Sequence, residues 1–410
     1  MIEKHCKWLI MKLLNKVLLI GLFFAFQLVG NAEKSPQVFI LNGKKMLESR
    51  NAYIDGNKDV SKAVSSVLKA GDRALEFEPV SVTDKTQMPV SGDKHDFVSL
   101  AKYWFPNPNT PDGLPYVRRD GVVNPEVKLY KDYENLNKMS GAVLDAAIAY
   151  FFSANEKYAE HASKLIRVWF LDAATRMNPN LKYAQAVKGS NDGRSWGVLE
   201  GQDFRKIIDA VGLLEGSKSW KKEDQEGLKT WMTNYFQWLT ESENGIAESN
   251  APNNHGTWYQ VQAVSIALYL GKTDYAVQRC ELAKEKRIAA QIKPDGSQSF
   301  ELERTKALSY SDFNLRALME LANLAENVGV DLWHYKTSDG RCIRSALDFM
   351  IPFVLKEKVW PYQQIDEFKN KDFILALYLA SNKFKNASYL DVIKNISDKE
   401  INSSPITLWY

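Results

Sequence analysis

The 410-residue chain is poor in cysteine, in long apolar runs and in strand-like alternation. It has three cysteines, too few for a disulfide framework. Cys280 and Cys342 could pair, but free buried thiols are the favoured prediction. After residue 26 no apolar run is long enough to cross a bilayer. Strand-like alternation is confined to residues 37–41 and 77–82, which argues against a mainly β fold.

The first 32 residues have the pattern of a secretory signal peptide. Four lysines precede the apolar run of residues 17–26, and small residues near Ala32 offer a cleavage point. No cysteine follows the apolar run, which argues against lipid attachment. The sequence therefore predicts a signal peptide at residues 1–32 and a secreted or periplasmic protein of residues 33–410 with no membrane partner.

Without residues 1–32 the chain also has no excess of positive or negative charge. Removal of residues 1–32, which hold four lysines and Glu3, lowers the net charge from +3 to zero. A neutral protein has no overall field to attract nucleic acid, so we expect no nucleic-acid partner. An anionic partner would have to bind a local cluster of basic residues.

Helical periodicity dominates the rest of the chain. Tyr158, Leu165, Ile166 and Trp169 recur at intervals that suit one helix face. Short polar turns between successive helices predict antiparallel pairs, and no linker divides the chain. The prediction is an all-α fold, a single domain of residues 33–410 built as an α/α toroid or incomplete barrel of antiparallel helix pairs. Further helices are expected at residues 57–70, 127–152, 198–215, 219–240, 257–270, 274–291, 311–326, 339–357, 370–381 and 386–396.

An irregular segment, residues 103–126, contains five prolines that exclude a helix. Loops of this length are usually functional or disordered, and the aromatic residues of this one favour order. Arg118 and Arg119 suit a carboxylated sugar chain, because guanidinium groups bind carboxylates and neighbouring aromatic faces stack on sugar rings. Alternatively, the two arginines cap helix ends or pair with Asp120 and Glu126.

Two further polar segments offer candidate site residues. Residues 188–204 offer contacts for a substrate: Arg194, Trp196 and Gln202. The alternative is that Gln202 and Asp203 are ordinary first-turn residues of a helix. Residues 299–313 offer Arg304 and Tyr310, and a helix is expected to start at Ser311. On a continuous helix Arg304 and Tyr310 would point to different sides, so they can share a pocket only if the chain bends between them. Otherwise they are a surface arginine and a buried tyrosine.

His255 lies between amides and a glycine in the stretch SNAPNNHGTWY, residues 249–259. This polar loop offers the ring little aliphatic surface for packing, and a helix is expected to begin near Gly256. One interpretation is that the two preceding asparagines merely cap that helix. The other is that His255 acts on a substrate. No second potential ligand lies at metal-binding spacing, so no metal is predicted.

Several separated motifs resemble those of the alginate lyase family, polysaccharide lyases with helical toroid folds. They are N-N-H at residues 253–255, E-L-x-R…Y at 301–310 and P-x-x-P-x-G-L-P-Y-x-x-R-D-G-x-x-N-P-E at 108–126. The resemblance implies an anionic polyuronate as the partner and no cofactor. It implies these catalytic residues: Asn254, His255, Arg304 and Tyr310. The predicted substrate-binding residues are Arg118, Arg119, Arg194, Trp196, Gln202 and Tyr259.

The implied reaction is β-elimination in a 4-linked uronan, with alginate as the first candidate and glucuronan as the second. The enzyme would remove the C5 proton and expel the C4 oxygen, which leaves an unsaturated uronate. Asn254 and Arg304 would neutralise the carboxylate. Tyr310, with its phenolate favoured by a nearby guanidinium, would act as base and acid, and His255 would be the alternative base.

Two other functions fit parts of the sequence. A glycoside hydrolase on a similar toroid would use two carboxylates, Glu200 or Asp203 together with Glu301. A non-catalytic glycan-binding protein would use the aromatic residues alone. In every case we expect a monomer.

Overall fold

Helices make up most of the chain that the computed structural model describes, residues 34–397 and 401–410. The predicted signal peptide lies outside the described residues. The α-helices are α1 (Gly43–Ile54), α2 (Lys58–Leu75), α3 (Asp132–Ser153), α4 (Glu156–Ile166), α5 (Phe204–Leu213), α6 (Lys222–Glu241), α7 (Glu243–Ser249), α8 (Asn254–Tyr269), α9 (Thr273–Ala283), α10 (Ser299–Leu302), α11 (Ala307–Glu326), α12 (Ile343–Val354), α13 (Asn370–Lys383) and α14 (Ser388–Ile396). Shorter 3₁₀ or π segments lie at Val82–Asp84, Pro125–Leu129, Arg167–Leu171, Ser195–Asp203, Lys284–Ala289, Ile401–Ser403 and Pro405–Leu408.

The helices pack in two layers as an α/α toroid. One row consists of α3, α5, α8, α11 and α13, each packed against the next. The helices that pack on this row are α2, α4, α6, α9, α12 and α14. In the middle of the row, every residue of α8 from Asn254 to Ala267 is buried, because neighbouring helices cover it on all sides. This arrangement confirms the predicted all-α toroid, and α1, α7 and α10 are helices that the sequence pattern did not predict.

Asparagine side chains determine where several helices begin. Asn42, Asn57, Asn155 and Asn253 each accept a first-turn backbone N–H through the side-chain oxygen, which caps the helix. Asn253 accepts the N–H of His255. Helix α8 therefore begins two residues before the predicted start, and His255 lies in its first turn rather than in a loop.

The strands differ from those expected. The four short strands are β1 (Val98–Leu100), β2 (Trp104–Phe105), β3 (Val117–Arg118) and β4 (Tyr183–Ala186). β1 pairs with β4 in parallel, and β2 pairs with β3 in antiparallel fashion. The strand-like alternation at residues 37–41 and 77–82 does not form strands. In the first of these segments the N–H groups of Phe39, Ile40 and Leu41 donate instead to the carboxylate of Asp209, at 2.7, 3.0 and 2.8 Å.

Replacing Asp209 by asparagine is expected to destabilise the fold. The side chain is buried and its two oxygens accept all three N–H groups. An amide NH₂ in place of one oxygen would point at a backbone N–H, and neither group could accept the other's hydrogen. An unpaired buried donor costs about 1–3 kcal/mol. Urea unfolding followed by circular dichroism would measure the loss, with the exposed Asp55→Asn as the control. Equal free energies of unfolding in both variants would contradict the expectation.

The structure shows the state of the two cysteines and whether a described helix could span a membrane. Cys280 and Cys342 are free thiols, as predicted, but only Cys280 is buried and Cys342 is half-buried. Within the part of the chain that the structure describes, no helix is both long enough and apolar enough to span a membrane.

Candidate active site

A cavity of about 300 Å³ lies at the N-terminal ends of α8 and α11. The loop that carries β2 and β3 forms one wall, and the 3₁₀ segment Ser195–Asp203 forms another. Most of the predicted site residues line it: Arg118, Arg194, Trp196, Gln202, Asn254, His255, Arg304 and Tyr310. Segments that are far apart in the sequence therefore meet at one place.

His255 is held from behind by a buried carboxylate. Its Nδ1 lies 2.6 Å from Glu248 Oε1, and its ring packs 5.2 Å from the ring of Trp196, centroid to centroid. An ionised carboxylate can only accept, so Nδ1 carries the proton and donates. The residue is 9% exposed, so the prediction that His255 sits in a polar loop is wrong. Sequence reasoning also missed Glu248.

Asn254 is fixed by Glu301. Its backbone N–H donates to Oε1 at 2.8 Å and its Nδ2 donates to Oε2 at 2.7 Å. Burial raises the pKa of Glu301 to about 6, although the two Asn254 hydrogen bonds oppose that shift. Since Nδ2 has two hydrogens, one remains for a ligand. The side chain is thus presented to the cavity as a donor.

The chain bends between Arg304 and Tyr310, which is the condition for the two residues to share a pocket. Helix α10 ends at Leu302 and α11 begins at Ala307, four residues before the expected start, so Tyr310 lies in its first turn. The bend places the Arg304 guanidinium carbon 3.8 Å from the centroid of the Tyr310 ring. Both residues therefore face the same cavity.

Asp120 joins Arg304 to the loop of residues 103–126. Arg304 Nε and Nη2 donate to its carboxylate at 3.1 and 2.7 Å, and Arg118 Nη2 donates to it at 2.7 Å. Burial alone would raise the pKa of Asp120, but hydrogen bonds from Arg304 and Thr305 and the charges of both arginines hold it well below its usual value. The alternative in which an arginine pairs with Asp120 thus holds for Arg118. Arg304 uses two of its five N–H groups on Asp120, so both hydrogens of Nη1 and one of Nη2 remain for a ligand.

Tyr310 is a neutral phenol that donates to Tyr103 Oη at 2.8 Å. Burial raises its pKa, Tyr103 raises it further, and the positive charge of Arg304 only partly opposes this. The expectation that Arg304 would make the phenolate easy to reach is wrong, because desolvation outweighs the guanidinium. Tyr310 therefore keeps its proton at neutral pH.

Residues 363–366, which we call the strap, hold the bend in place. The N–H of Ala307 donates to the Gln363 carbonyl and the N–H of Ile365 to the Thr305 carbonyl, both at 3.0 Å. Gln364 adds two bonds: its Oε1 accepts from the Leu308 N–H at 3.0 Å, and its Nε2 donates to Ser309 Oγ at 2.9 Å. The strap thus fixes the segment that sets Arg304 against Tyr310.

Two arginines flank one indole ring in the cavity. The guanidinium carbon of Arg194 lies 4.5 Å from the Trp196 ring centroid and 5.5 Å from that of Trp104, and Arg118 lies 5.5 Å from Trp196. Burial and the charge of Arg118 lower the pKa of Arg194 to about 10, which leaves it cationic at neutral pH. The arrangement suits a carboxylate above a stacked sugar ring.

Comparison with known proteins decides the family. The family model described as alginate lyase matches residues 81–360. The chain belongs to the alginate lyase family. It is accordingly a polysaccharide lyase. An alginate lyase from Bacteroides ovatus is 39% identical, with a TM-score of 0.86 over 92% of this chain and 99% of that one.

More distant alginate lyase structures show the fold alone. A variant of alginate lyase A1-III in complex with a tetrasaccharide is 18% identical, with a TM-score of 0.55 over 86% of this chain and 90% of that one. Alginate lyase A1-III from Sphingomonas species A1 is 17% identical, with a TM-score of 0.51 over 83% and 93%. No curated protein sequence matches at a significant level.

Two residues predicted to bind substrate lie away from the cavity of this alginate lyase family member. Tyr259 is buried in the core, where its hydroxyl donates to the Leu239 carbonyl at 3.2 Å. It offers a sugar ring no surface, so that prediction is wrong. Arg119 is exposed and lies over the Phe105 ring at 4.7 Å, outside the residues that line the cavity.

The carboxylates that a hydrolase would need are used elsewhere. Glu200 is buried, accepts from the Ser99 hydroxyl, and has its pKa raised to about 7 by burial. Asp203 pairs with cationic side chains, and Glu301 holds Asn254. Among the described residues that line the cavity, Glu303 alone carries a carboxylate. The described residues also contain no cluster of three or more potential metal ligands.

Proposed function

We propose that this alginate lyase family member cleaves 4-linked polyuronates by β-elimination, with alginate as the first candidate and glucuronan as the second. The observation that carries the proposal is the meeting of Asn254, His255, Arg304 and Tyr310 in one cavity with two further arginines beside Trp196. The related lyase A1-III was solved with a tetrasaccharide, which supports an oligosaccharide-length site here.

The chemistry requires a neutralised carboxylate, a base and an acid. The free hydrogen of Asn254 Nδ2 and Arg304 Nη1 would bind the carboxylate at C5 and stabilise the charge that develops there. A base then takes the C5 proton, the C5–H electron pair forms the C4=C5 double bond, and the C4–O4 bond breaks. The O4 atom leaves with the bonding electrons and takes a proton from the acid.

Tyr310 and His255 share the proton transfers. A neutral phenol at Tyr310 supplies the proton to O4. His255, protonated on Nδ1 toward Glu248, offers its Nε2 as the base where the C5 hydrogen and O4 lie on opposite faces of the ring. Where they lie on the same face, Tyr310 would first lose its own proton to water; the phenolate would then take the C5 proton and return it to O4. The product carries an unsaturated uronate at its new end.

An absorbance assay on polymers of mannuronate, guluronate and glucuronate tests the proposal. A lyase gives a growing ultraviolet absorbance from the new double bond. A hydrolase gives new reducing ends without that absorbance, and a binding protein gives neither. We also propose export through residues 1–32 and a monomeric enzyme. N-terminal sequencing of the secreted protein and light scattering test these two points.

Arg118→Ala should weaken substrate binding, whereas Arg119→Ala should not. Arg118 lines the cavity beside Trp196, and its neighbour points to Phe105, so the pair forms a matched test. We expect KM to rise roughly tenfold for Arg118→Ala, the equivalent of about 1.4 kcal/mol, and to rise more at low salt. Initial rates across polymer concentrations measure this. Equal KM values in both variants would assign Arg118 to the scaffold.

A further inference from the structure

A buried acid stands behind His255 without touching the cavity. The Glu248 side chain is 0% exposed and lies 2.6 Å from His255 Nδ1, and it is not among the lining residues. Its second oxygen, Oε2, has no hydrogen-bond partner among the described residues. A buried carboxylate with a free oxygen is costly for a fold to keep. Among the described residues its one side-chain hydrogen bond is with the histidine, although the charges of Arg194 and Arg287 also act on it.

The connection between α7 and α8 fixes the distance between the acid and the histidine. Arg287, 3% exposed, donates to the carbonyls of Ser249 and Ala251 at 2.7 and 2.9 Å. At Gly256 an added Cβ would lie 2.1 Å from the Ala251 carbonyl oxygen and 2.5 Å from Arg287 Nη1. Only glycine allows this close approach. The short helix that carries Glu248 is thereby locked against the first turn of α8.

We propose that Glu248 is a positioning residue for the elimination, acting only through His255. By accepting from Nδ1 it selects the tautomer in which Nε2 is free to accept a proton, and with Trp196 on the ring face it leaves the imidazole one orientation. Without that carboxylate the ring can turn or carry its proton on Nε2, where it cannot act as a base. This inference rests on the proposed function.

Glu248→Gln is the direct test, because it keeps the shape and removes the obligatory acceptor. We expect kcat to fall at least about tenfold, with KM changed less than about twofold, on the polymer for which His255→Ala has its largest effect. Glu243→Gln, an exposed position on the same helix, is the matched control and should leave both constants unchanged. An unchanged kcat in Glu248→Gln would overturn the proposal.

A double-mutant cycle separates positioning from general support of the fold. If Glu248 acts only through His255, adding Glu248→Gln to His255→Ala should lower kcat no further. If Glu248→Gln lowered kcat by the same factor in both backgrounds, the acid would act elsewhere and the proposal would be overturned. Should Glu248→Gln fail to fold, Glu248→Asp keeps the charge at a longer distance and should show a smaller loss that also disappears in the His255→Ala background.

Nitrogen NMR of the histidine rings gives a readout that needs no activity. In the wild-type protein the His255 signals should show a proton on Nδ1, and in Glu248→Gln this tautomer should lose its dominance. A wild-type ring protonated on Nε2 alone would overturn the proposal. If the wild type cleaves no polymer but shows the Nδ1 tautomer, the proposed function is wrong, while the orientation of His255 by Glu248 is retained.

Discussion

Tyr310→Phe is expected to lower the turnover number for polyuronate cleavage by at least about 10²–10⁴-fold, the usual loss when an acid–base group is removed. Tyr310 lines the cavity with its O–H, and the Arg304 guanidinium carbon lies 3.8 Å from its ring centroid. Phenylalanine keeps the ring and this stacking, so the fold should survive. The loss should appear in kcat on every polymer, because the O4 proton comes from Tyr310 whichever group acts as base.

Tyr259→Phe is the matched control for this change. It removes the hydroxyl of another buried tyrosine, which donates to the Leu239 carbonyl in the core and has no contact with the cavity. Its kcat should equal that of the wild type, with a small loss of stability. Normal double-bond formation by Tyr310→Phe on the preferred polymer would remove Tyr310 from the mechanism.

Asn254→Ala is expected to lower kcat by about 10²–10³-fold on all three uronans, the range found for the loss of one donor to a developing charge. The donor is positioned in advance, since Glu301 holds both the backbone N–H and Nδ2. The carboxylate must be neutralised whether His255 or Tyr310 takes the C5 proton, so the loss should not depend on the polymer. This uniformity distinguishes Asn254 from His255, whose effect should vary with the stereochemistry at C5.

Asn254→Ala also takes a hydrogen bond from buried Glu301, so a loss of stability must be separated from a loss of catalysis. Asn314→Ala provides the comparison. Asn314 is buried in α11 and its Nδ2 donates to Gln291 and Gln298 at 2.9 and 2.8 Å, away from the residues that line the cavity. Both variants should lose stability in urea, but only Asn254→Ala should lose turnover. A similar kcat in the two variants would refute the role of Asn254.

Local sequence patterns predicted most of the helices, and the family resemblance supplied the candidate catalytic residues. Apolar periodicity and asparagine caps act within a few residues, so they are readable from the sequence, as at Asn253 before α8. Residues 37–41 were misread because their apolar pattern suits a strand, whereas a carboxylate 170 residues from Phe39 binds their N–H groups. Tyr259 was misread because its place beside His255 in the sequence says nothing about the core that covers it.

The supporting residues were missed for a similar reason. Asp120 and Arg304 are separated by 184 residues, and Tyr103 and Tyr310 by 207, so no local pattern links them. Glu248 is only seven residues from His255, but its role depends on the turn between two helices. The raised pKa of Tyr310 likewise follows from burial, which residue types alone do not show.

The strap has a consequence for exchanging parts between relatives. The match to the family ends at residue 360, yet residues 363–366 hold the bend between Arg304 and Tyr310. A chimera with its crossover between residues 310 and 363 would carry every candidate catalytic side chain but would join a bend from one parent to a strap from another. Crossovers that preserve activity should therefore lie outside this interval. The segment that must come from one parent extends past the catalytic motifs to residue 366.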